Sequence, residues 1–259
     1  MRVTKRGLPT DNWHHFLRLR DLRQIVDEMP LAGVSRVLEL GAGDGVQTLA
    51  LRELFSQVVP IDIAPSGQVP GMVMADASKL PFVDGYFDLV FSSNVLEHVS
   101  QLEESLNEMK RVLAPNGIMI HSMPTTTWKV VQIVARPVAS MIKMIKKITP
   151  GLIDQTQRSR VTTHVLDPST TSTVKLWVSK IFGQFIPTIH GTSNNHIQEF
   201  FRFRTRWWMK KFGEAELRCY RLSPLFFHSP YGMLPYKFLY LRERLAVVGL
   251  ASVRVFWLR

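Results

Sequence analysis

The residues of this chain most able to do chemistry are a run of glycines, a series of spaced carboxylates and a few histidines. Gly41, Gly43 and Gly45 follow Val37-Leu38-Glu39-Leu40, an apolar run of strand length, and a helical pattern from Val46 to Leu54 starts directly behind them. Strand, glycine-rich turn and helix bring backbone N–H groups and a helix N-terminus close to a ligand. Glycine suits such a turn because a Cβ would hold the ligand away and because the turn can demand positive φ. A dinucleotide fingerprint reads G-x-G-x-x-G, whereas the spacing here is G-x-G-x-G with Glu39 just before it. Asp62, 21 residues after Gly41, closes a second strand pattern at Val58–Ile61. A carboxylate there can accept from both hydroxyls of a ribose. The competing reading is a turn aspartate ahead of Pro65 and Gly67. A third strand pattern, Met72–Ala75, ends at Asp76, and a fourth, Phe87–Phe91, opens into Ser92-Ser93-Asn94. Open α/β sheets bind ligands at the C-terminal ends of their strands, so these polar tips converge on one crevice.

Glu39 to Gly45 resembles motif I, E/D-x-G-x-G-x-G, of the class I S-adenosylmethionine-dependent methyltransferases. ADASKLPFVDGYFDLVFSSNVLEHV (75–99) is similar to a stretch shared by many small-molecule members, of the type 11 kind. Glu108 to Ile120, E-x-K-R-V-L-A-P-N-G-I-M-I, resembles the helix, turn and strand that close the cofactor half. The likeness is close over residues 35–122 and implies an α/β fold. That fold is a Rossmann-like, doubly wound seven-stranded sheet of order 3-2-1-4-5-7-6 with the last strand antiparallel. It implies S-adenosyl-L-methionine as cofactor, S-adenosyl-L-homocysteine as product, and no metal. The cofactor-binding candidates carried over are Glu39, Gly41, Ala42, Gly43, Asp62, Ile63, Asp76, Ala77 and Asn94. In the family the residue at Asp76 accepts from the adenine amino group and the next backbone N–H meets the ring. Asn94 falls beside the expected sulfonium and methionine groups.

The 259 residues, 46% hydrophobic and 20% charged, can bury a full core and fit one α/β domain with an insertion. A single cysteine, Cys219, excludes an intramolecular disulfide and a multi-cysteine zinc site. Residues 1–30 carry Arg18, Arg20, Asp21 and Arg23 and lack the apolar core of a signal peptide. Leu245–Val253 is too short to span a bilayer. The expected location is cytoplasmic, with attachment to the inner face of the membrane left open. The net charge of +11 is uneven: residues 1–122 hold 11 Lys and Arg against 15 Asp and Glu, and residues 123–259 hold 21 against 6. A basic second half calls for an acidic partner.

Those elements divide the chain into an N-terminal helical cap (1–30, amphipathic over 12–29), a cofactor-binding half (31–122), a basic insertion or substrate lid (123–199) and C-terminal helices and strands that complete the sheet (200–259). His14 and His15 are adjacent and face different ways on a helix, which argues against a shared metal. Within the insertion, a helix is expected after Arg136-Pro137, with Val138, Met141, Ile142, Ile145 and Ile148 on one face and Lys143, Lys146 and Lys147 on the other. Such a helix reads as membrane-facing or as a lid packed through its apolar face. A helix over Phe200–Phe212, a sixth strand over Gly213–Tyr220, a helix over Tyr236–Val248 and a last strand over Val253–Leu258 follow.

The most polar stretch of the second half is Ile189 to Phe200. A His-Gly, then Glu, then Trp-x-x-x-Phe order resembles methyltransferases of glycan-type or lipid-linked substrates. His190, His196 and Glu199, with His98 after the fourth strand, are the candidate catalytic residues. A neutral histidine can take a hydroxyl proton near pH 7, while histidines that merely cap helices are the bland alternative. The expected function is direct methyl transfer to a small, glycan- or lipid-linked acceptor, at oxygen. Two alternatives remain open. One is an RNA or protein methyltransferase, with Arg202, Arg204, Arg206, Lys210 and Lys211 on phosphate and Trp207 and Trp208 stacking on bases. The other is a non-catalytic binder of the cofactor. Nucleic acid ranks behind a small acceptor because SSNV stands where amino methyltransferases of adenine and glutamine carry N/D-P-P-Y/F.

Overall fold

In the computed structural model the described residues are 13–29, 32–67, 69–155, 189–228 and 239–259, with side chains from 143 to 155 left aside. In chain order the elements are α1 (Trp13–Glu28), β1 (Arg36–Leu40), α2 (Val46–Arg52), β2 (Gln57–Asp62), β3 (Val73–Met74), β4 (Phe87–Ser93), a 3-10 turn (Leu96–His98), α3 (Leu102–Val112), β5 (Leu113–Pro124), α4 (Thr126–Gln155), α5 (His196–Arg202), α6 (Thr205–Glu214), β6 (Cys219–Pro224), α7 (Leu239–Leu245) with a π-type turn (Ala246–Leu250), and β7 (Val253–Leu258).

The strands form one sheet of order β3-β2-β1-β4-β5-β7-β6, as expected. β1 to β5 run parallel, and β7 is antiparallel to both β5 and β6. The register aligns the strand ends, with Leu40 opposite Ile61 and Ser92, Asp62 opposite Met74, and Ser93 opposite Ser122. Alternation along the buried strands sends side chains to two cores. Leu38, Val90 and Phe256 meet α3 and α6 through Met109, Val112, Trp208 and Phe212. Val37, Leu89, Phe91 and Trp257 meet α1 and α2 through Leu22, Ile25 and Leu51. Helices on both faces make the sheet doubly wound.

Backbone contacts divide the chain into two units. The first is Met1–Lys129, Ile189–His228 and Tyr236–Arg259, and it contains the sheet; the second is Val130–Thr188 and Ser229–Pro235.

Several expected boundaries moved. α4 starts at Thr126, well before Pro137, because Thr125 caps it: its Oγ1 accepts from Trp128 N–H at 3.3 Å and donates to the Ala251 carbonyl at 2.6 Å. The turn expected at Pro115-Asn116-Gly117 is a bulge within β5, where Ala114 to Gly117 stand opposite Asp88. The single helix expected over Phe200–Phe212 breaks into α5 and α6 at Phe203 and Arg204. α5 is started by Asn195, whose Oδ1 accepts from Gln198 N–H at 2.8 Å. α6 runs through Gly213 to Glu214, and the left-handed residue that ends it is Glu216 (φ 59°), which displaces β6 to Cys219–Pro224. The helix expected over Tyr236–Val248 is described only from Leu239 and passes into the π-type turn at Ala246; Tyr236 itself lies outside the described residues.

Candidate cofactor crevice and its neighbouring histidine cluster

The glycine loop leaves β1 with Gly41 at φ 68° and Gly43 at φ 58°. A Cβ on Gly41 would collide with the Val95 side chain, so there glycine makes room for the protein's own packing. A Cβ on Gly43 would have no neighbour nearer than Arg18 Nη1 at 3.8 Å, so that backbone lies bare to an open side. Asp62, at the tip of β2, closes the loop: its Oδ2 accepts from Gly43 N–H at 2.8 Å and its Oδ1 from Ala64 N–H at 2.8 Å. Ala42 N–H donates to the Ile61 carbonyl at 3.0 Å. Ile63 follows, largely exposed.

Glu39 sits beneath the loop rather than on its rim. It is 2% exposed, accepts from Thr48 Oγ1 of α2 at 2.5 Å, and burial pushes its carboxyl up to about 7. Asp76 is exposed beyond β3, its Oδ1 accepting from Ser78 N–H and Oγ, both at 2.8 Å; those bonds hold it below the usual carboxylate range. Ala77 is half-buried beside it. Asn94 leaves β4 in a left-handed conformation (φ 54°), which asparagine tolerates, and its N–H donates to the Ser122 carbonyl at 2.9 Å.

The sequence did not show which side chains tie the N-terminal cap helix α1 to this loop. His15 Nε2 lies 2.7 Å from Asp44 Oδ2, Arg18 Nη1 is 3.4 Å from Oδ1, and Gln47 Nε2 donates to the Arg18 carbonyl. Partial burial works to raise the Asp44 carboxyl, yet the bonds from His15 and Val46 N–H hold it below the usual range. Nothing in the sequence marked the Asp44–His15 pair, because its members belong to separate elements.

Three of the four catalytic candidates come together. Glu199 is fully buried, with His190 Nδ1 at 3.7 Å from its Oε1 and His196 Nδ1 at 3.5 Å from its Oε2. Trp128 meets the His190 ring edge-on at 4.8 Å. The cation against Glu199 is Lys129, fully buried, with Nζ 2.6 Å from Oε2. Lys129 was missed because it stands alone in a mainly apolar run, Trp128 to Ala135, with no acidic residue near it in sequence. His98 is exposed on the 3-10 turn, and no contact ties it to Glu199. The loop is anchored by Thr192 N–H, which donates to the Glu97 carbonyl at 3.0 Å, one residue before His98. Because Trp128 and Lys129 follow β5 and Glu97 follows β4, the cluster stands at the same strand ends as Asn94. Among the described residues no group of three or more His, Cys, Asp or Glu could hold a metal ion.

Base stacking by Trp208 is not available. Trp208 is 2% exposed and stacked on Phe212, while Arg202 lies over Trp207 and Arg204 over Phe200 and Phe201.

Residues 38–121 match the family model described as "Methyltransferase domain". The chain is 36% identical over 98 residues to a malonyl-[acyl-carrier protein] O-methyltransferase of Halorhodospira halophila, covering 33% of each chain. It is 33% identical over 115 residues to a demethylmenaquinone methyltransferase of Beutenbergia cavernae, covering 41% of this chain and 48% of the relative. The matches thus span less than half the length of these curated relatives. Among solved structures, an S-adenosylmethionine-dependent methyltransferase from Mesorhizobium loti superposes with a TM-score of 0.50 at 16% identity, over 92% of this chain and 97% of that one. One from Thermotoga maritima does so with 0.53 at 14% identity, over 95% and 89%. At such identities the likeness speaks for the fold alone. The family match over residues 38–121, with the sheet order and the glycine loop, marks that part of the chain as the core of a class I S-adenosylmethionine-dependent methyltransferase domain. Its bare Gly43 backbone beside the Asp62 carboxylate fits the nucleoside end of that cofactor.

Proposed function

We propose that the protein transfers a methyl group from S-adenosylmethionine to a hydroxyl oxygen of a small, glycan- or lipid-linked acceptor. The observation that carries this reading is the pair of imidazoles, His190 and His196, set against the buried carboxylate of Glu199. When bound, S-adenosylmethionine supplies a methyl group made electrophilic by its sulfonium, so the protein chiefly positions the reactants. Asp62 accepts from the ribose hydroxyls, Asp76 from the adenine amino group, Ala77 N–H meets the ring, and the bare Gly43 backbone allows close approach. Glu39 supports that loop from below through Thr48. An acceptor hydroxyl must lose its proton as its oxygen is methylated. A neutral imidazole takes that proton near pH 7, and the Glu199 carboxylate stabilises the imidazolium that forms.

The malonyl-[acyl-carrier protein] O-methyltransferase and demethylmenaquinone methyltransferase among the relatives favour a small or lipid-like acceptor. So do Val130, Val134, Val138, Met141 and Ile142 on α4, which are exposed along one face. Ile145, Ile148 and the lysines at 143, 146 and 147 lie outside the described side chains. Residues 123–199 act in this reading as a substrate lid, although 156–188 lie outside the described residues. No helix among the described residues is long and apolar enough to cross a membrane.

Calorimetry with the donor tests the cofactor half. Loss of two hydrogen bonds in Asp62→Ala should weaken binding roughly 10- to 100-fold, and unchanged affinity would overturn the ribose assignment. Incubating cell extracts with labelled donor then tests the acceptor. Label in the lipid or polysaccharide fraction supports the reading, and label confined to RNA or protein replaces it.

A further inference from the structure

Leu96, Val99, Leu106, Phe203 and Trp207, drawn from the turn after β4, from α3 and from the α5–α6 region, form the apolar wall of a cavity of about 150 Å³. The basic groups at its edge already have partners. Lys211 Nζ lies 2.6 Å from Glu214, and Arg202 Nη1 donates to Thr192 Oγ1 at 2.6 Å. Two other lining groups differ. Glu97 Oε2 and Trp208 Nε1 are buried, and neither has a hydrogen-bond partner among the described residues. A buried polar group left unpaired is costly, and folded proteins seldom keep one without a reason. The pair is chemically specific. An indole N–H only donates, whereas a carboxyl kept protonated by its burial donates and accepts; burial pushes Glu97 up to about 8. A partner that satisfies both must bring oxygen lone pairs on an uncharged body. A space of about 150 Å³ holds one aromatic ring.

We propose that this cavity binds a small uncharged molecule, a ring or short chain bearing one hydroxyl or carbonyl oxygen that accepts from Trp208 Nε1 and bonds the Glu97 carboxyl. The proposal is independent of methyl transfer, so its test uses the whole protein without donor. Phenol is titrated while saturation-transfer NMR follows the ligand and ¹H–¹⁵N spectra follow the indole N–H signals. Saturable binding is expected, with a shift of the one indole signal that Trp208→Phe removes. Benzene, of the same shape without the oxygen, should bind about 3- to 10-fold more weakly, and Glu97→Leu and Trp208→Phe should each cost phenol a similar factor. Ala215→Leu, which puts a larger side chain on the cavity wall, should abolish binding. Non-saturable binding, equal affinity for phenol and benzene, or folded Glu97→Leu and Trp208→Phe variants that bind phenol like the parent would each overturn the proposal. The phenol–benzene comparison needs only the parent protein, so an unstable variant does not spare it.

Discussion

Lys129 and Glu199 are both wholly withdrawn from water, with their charged atoms 2.6 Å apart. Desolvating two charges consumes most of what their attraction returns, so such a pair does little for net stability, while removing one partner strands the other. Lys129→Met alone should therefore cost about 3–5 kcal/mol, and adding Glu199→Leu should recover much of it. Chemical denaturation of the four species measures the cycle. The double variant should fold and yet lose methyl transfer, because the Glu199 carboxylate no longer faces His190 and His196; full activity in it would remove Glu199 from the mechanism. Glu97 makes a different prediction. Its carboxyl is raised from 4.5 to about 8 by burial, so the native state keeps a proton that the unfolded chain releases. Its contribution to stability is complete below pH 4.5 and is lost as the pH rises towards 8. Glu97→Gln, neutral at every pH, should gain roughly 4–5 kcal/mol over the parent at pH 8.5, and most of the gap should close by pH 5. Thermal unfolding at the two pH values reads the difference.

Among the elements, the glycine loop depends on neighbours at both ends. α1 grips Asp44 through His15 and Arg18, β2 grips Gly43 through Asp62, and Val95, just past β4, fills the space over Gly41. Gly41→Ala forces a Cβ into a left-handed conformation and against Val95 together. It should cost about 1–3 kcal/mol and lower donor affinity, because the loop must shift. If the strain is partly steric, Val95→Ala should restore part of the loss; thermal unfolding and donor calorimetry on the double variant decide it. The same geometry changes what the glycines mean. Their spacing was read as room for a ligand, and for Gly43 the open side fits that, but at Gly41 the space belongs to Val95.

For the molecule as a whole, charge is the governing feature. Residues 123–259 carry 21 basic against 6 acidic residues, and the described start of α4 exposes a row of apolar side chains. Electrostatic attraction to an anionic surface fades as salt shortens the Debye length, whereas apolar burial does not. Vesicles containing phosphatidylglycerol should therefore pellet the protein at 100 mM salt and several-fold less of it at 500 mM, with little bound to pure phosphatidylcholine. Equal binding to both vesicle types would remove the electrostatic part of the membrane reading. RNA retained at 200 mM salt without vesicle binding would turn the basic half towards nucleic acid.

The glycine loop, the acidic tips of β2 and β3 and the exit of β4 were legible in the residues, because each depends on local periodicity and on spacings within a few residues; the strand order followed only from the resemblance to the methyltransferase family. The start of α4 at Thr125, the bulge at Pro115-Asn116-Gly117 and the end of α6 at Glu216 were not, because tertiary hydrogen bonds and strand register overrode local signals. His190, His196 and Glu199 could be named from the polarity of their stretch and from its resemblance to methyltransferases of glycan-type or lipid-linked substrates. His196 and Glu199, at i and i+3, share a turn of α5; that Lys129 is their buried cation, and that α1 clasps the loop through His15, was decided only in three dimensions. Partners separated by tens of residues leave no trace in either one's neighbourhood. Only burial, which withdraws the compensation of water, forces them to meet.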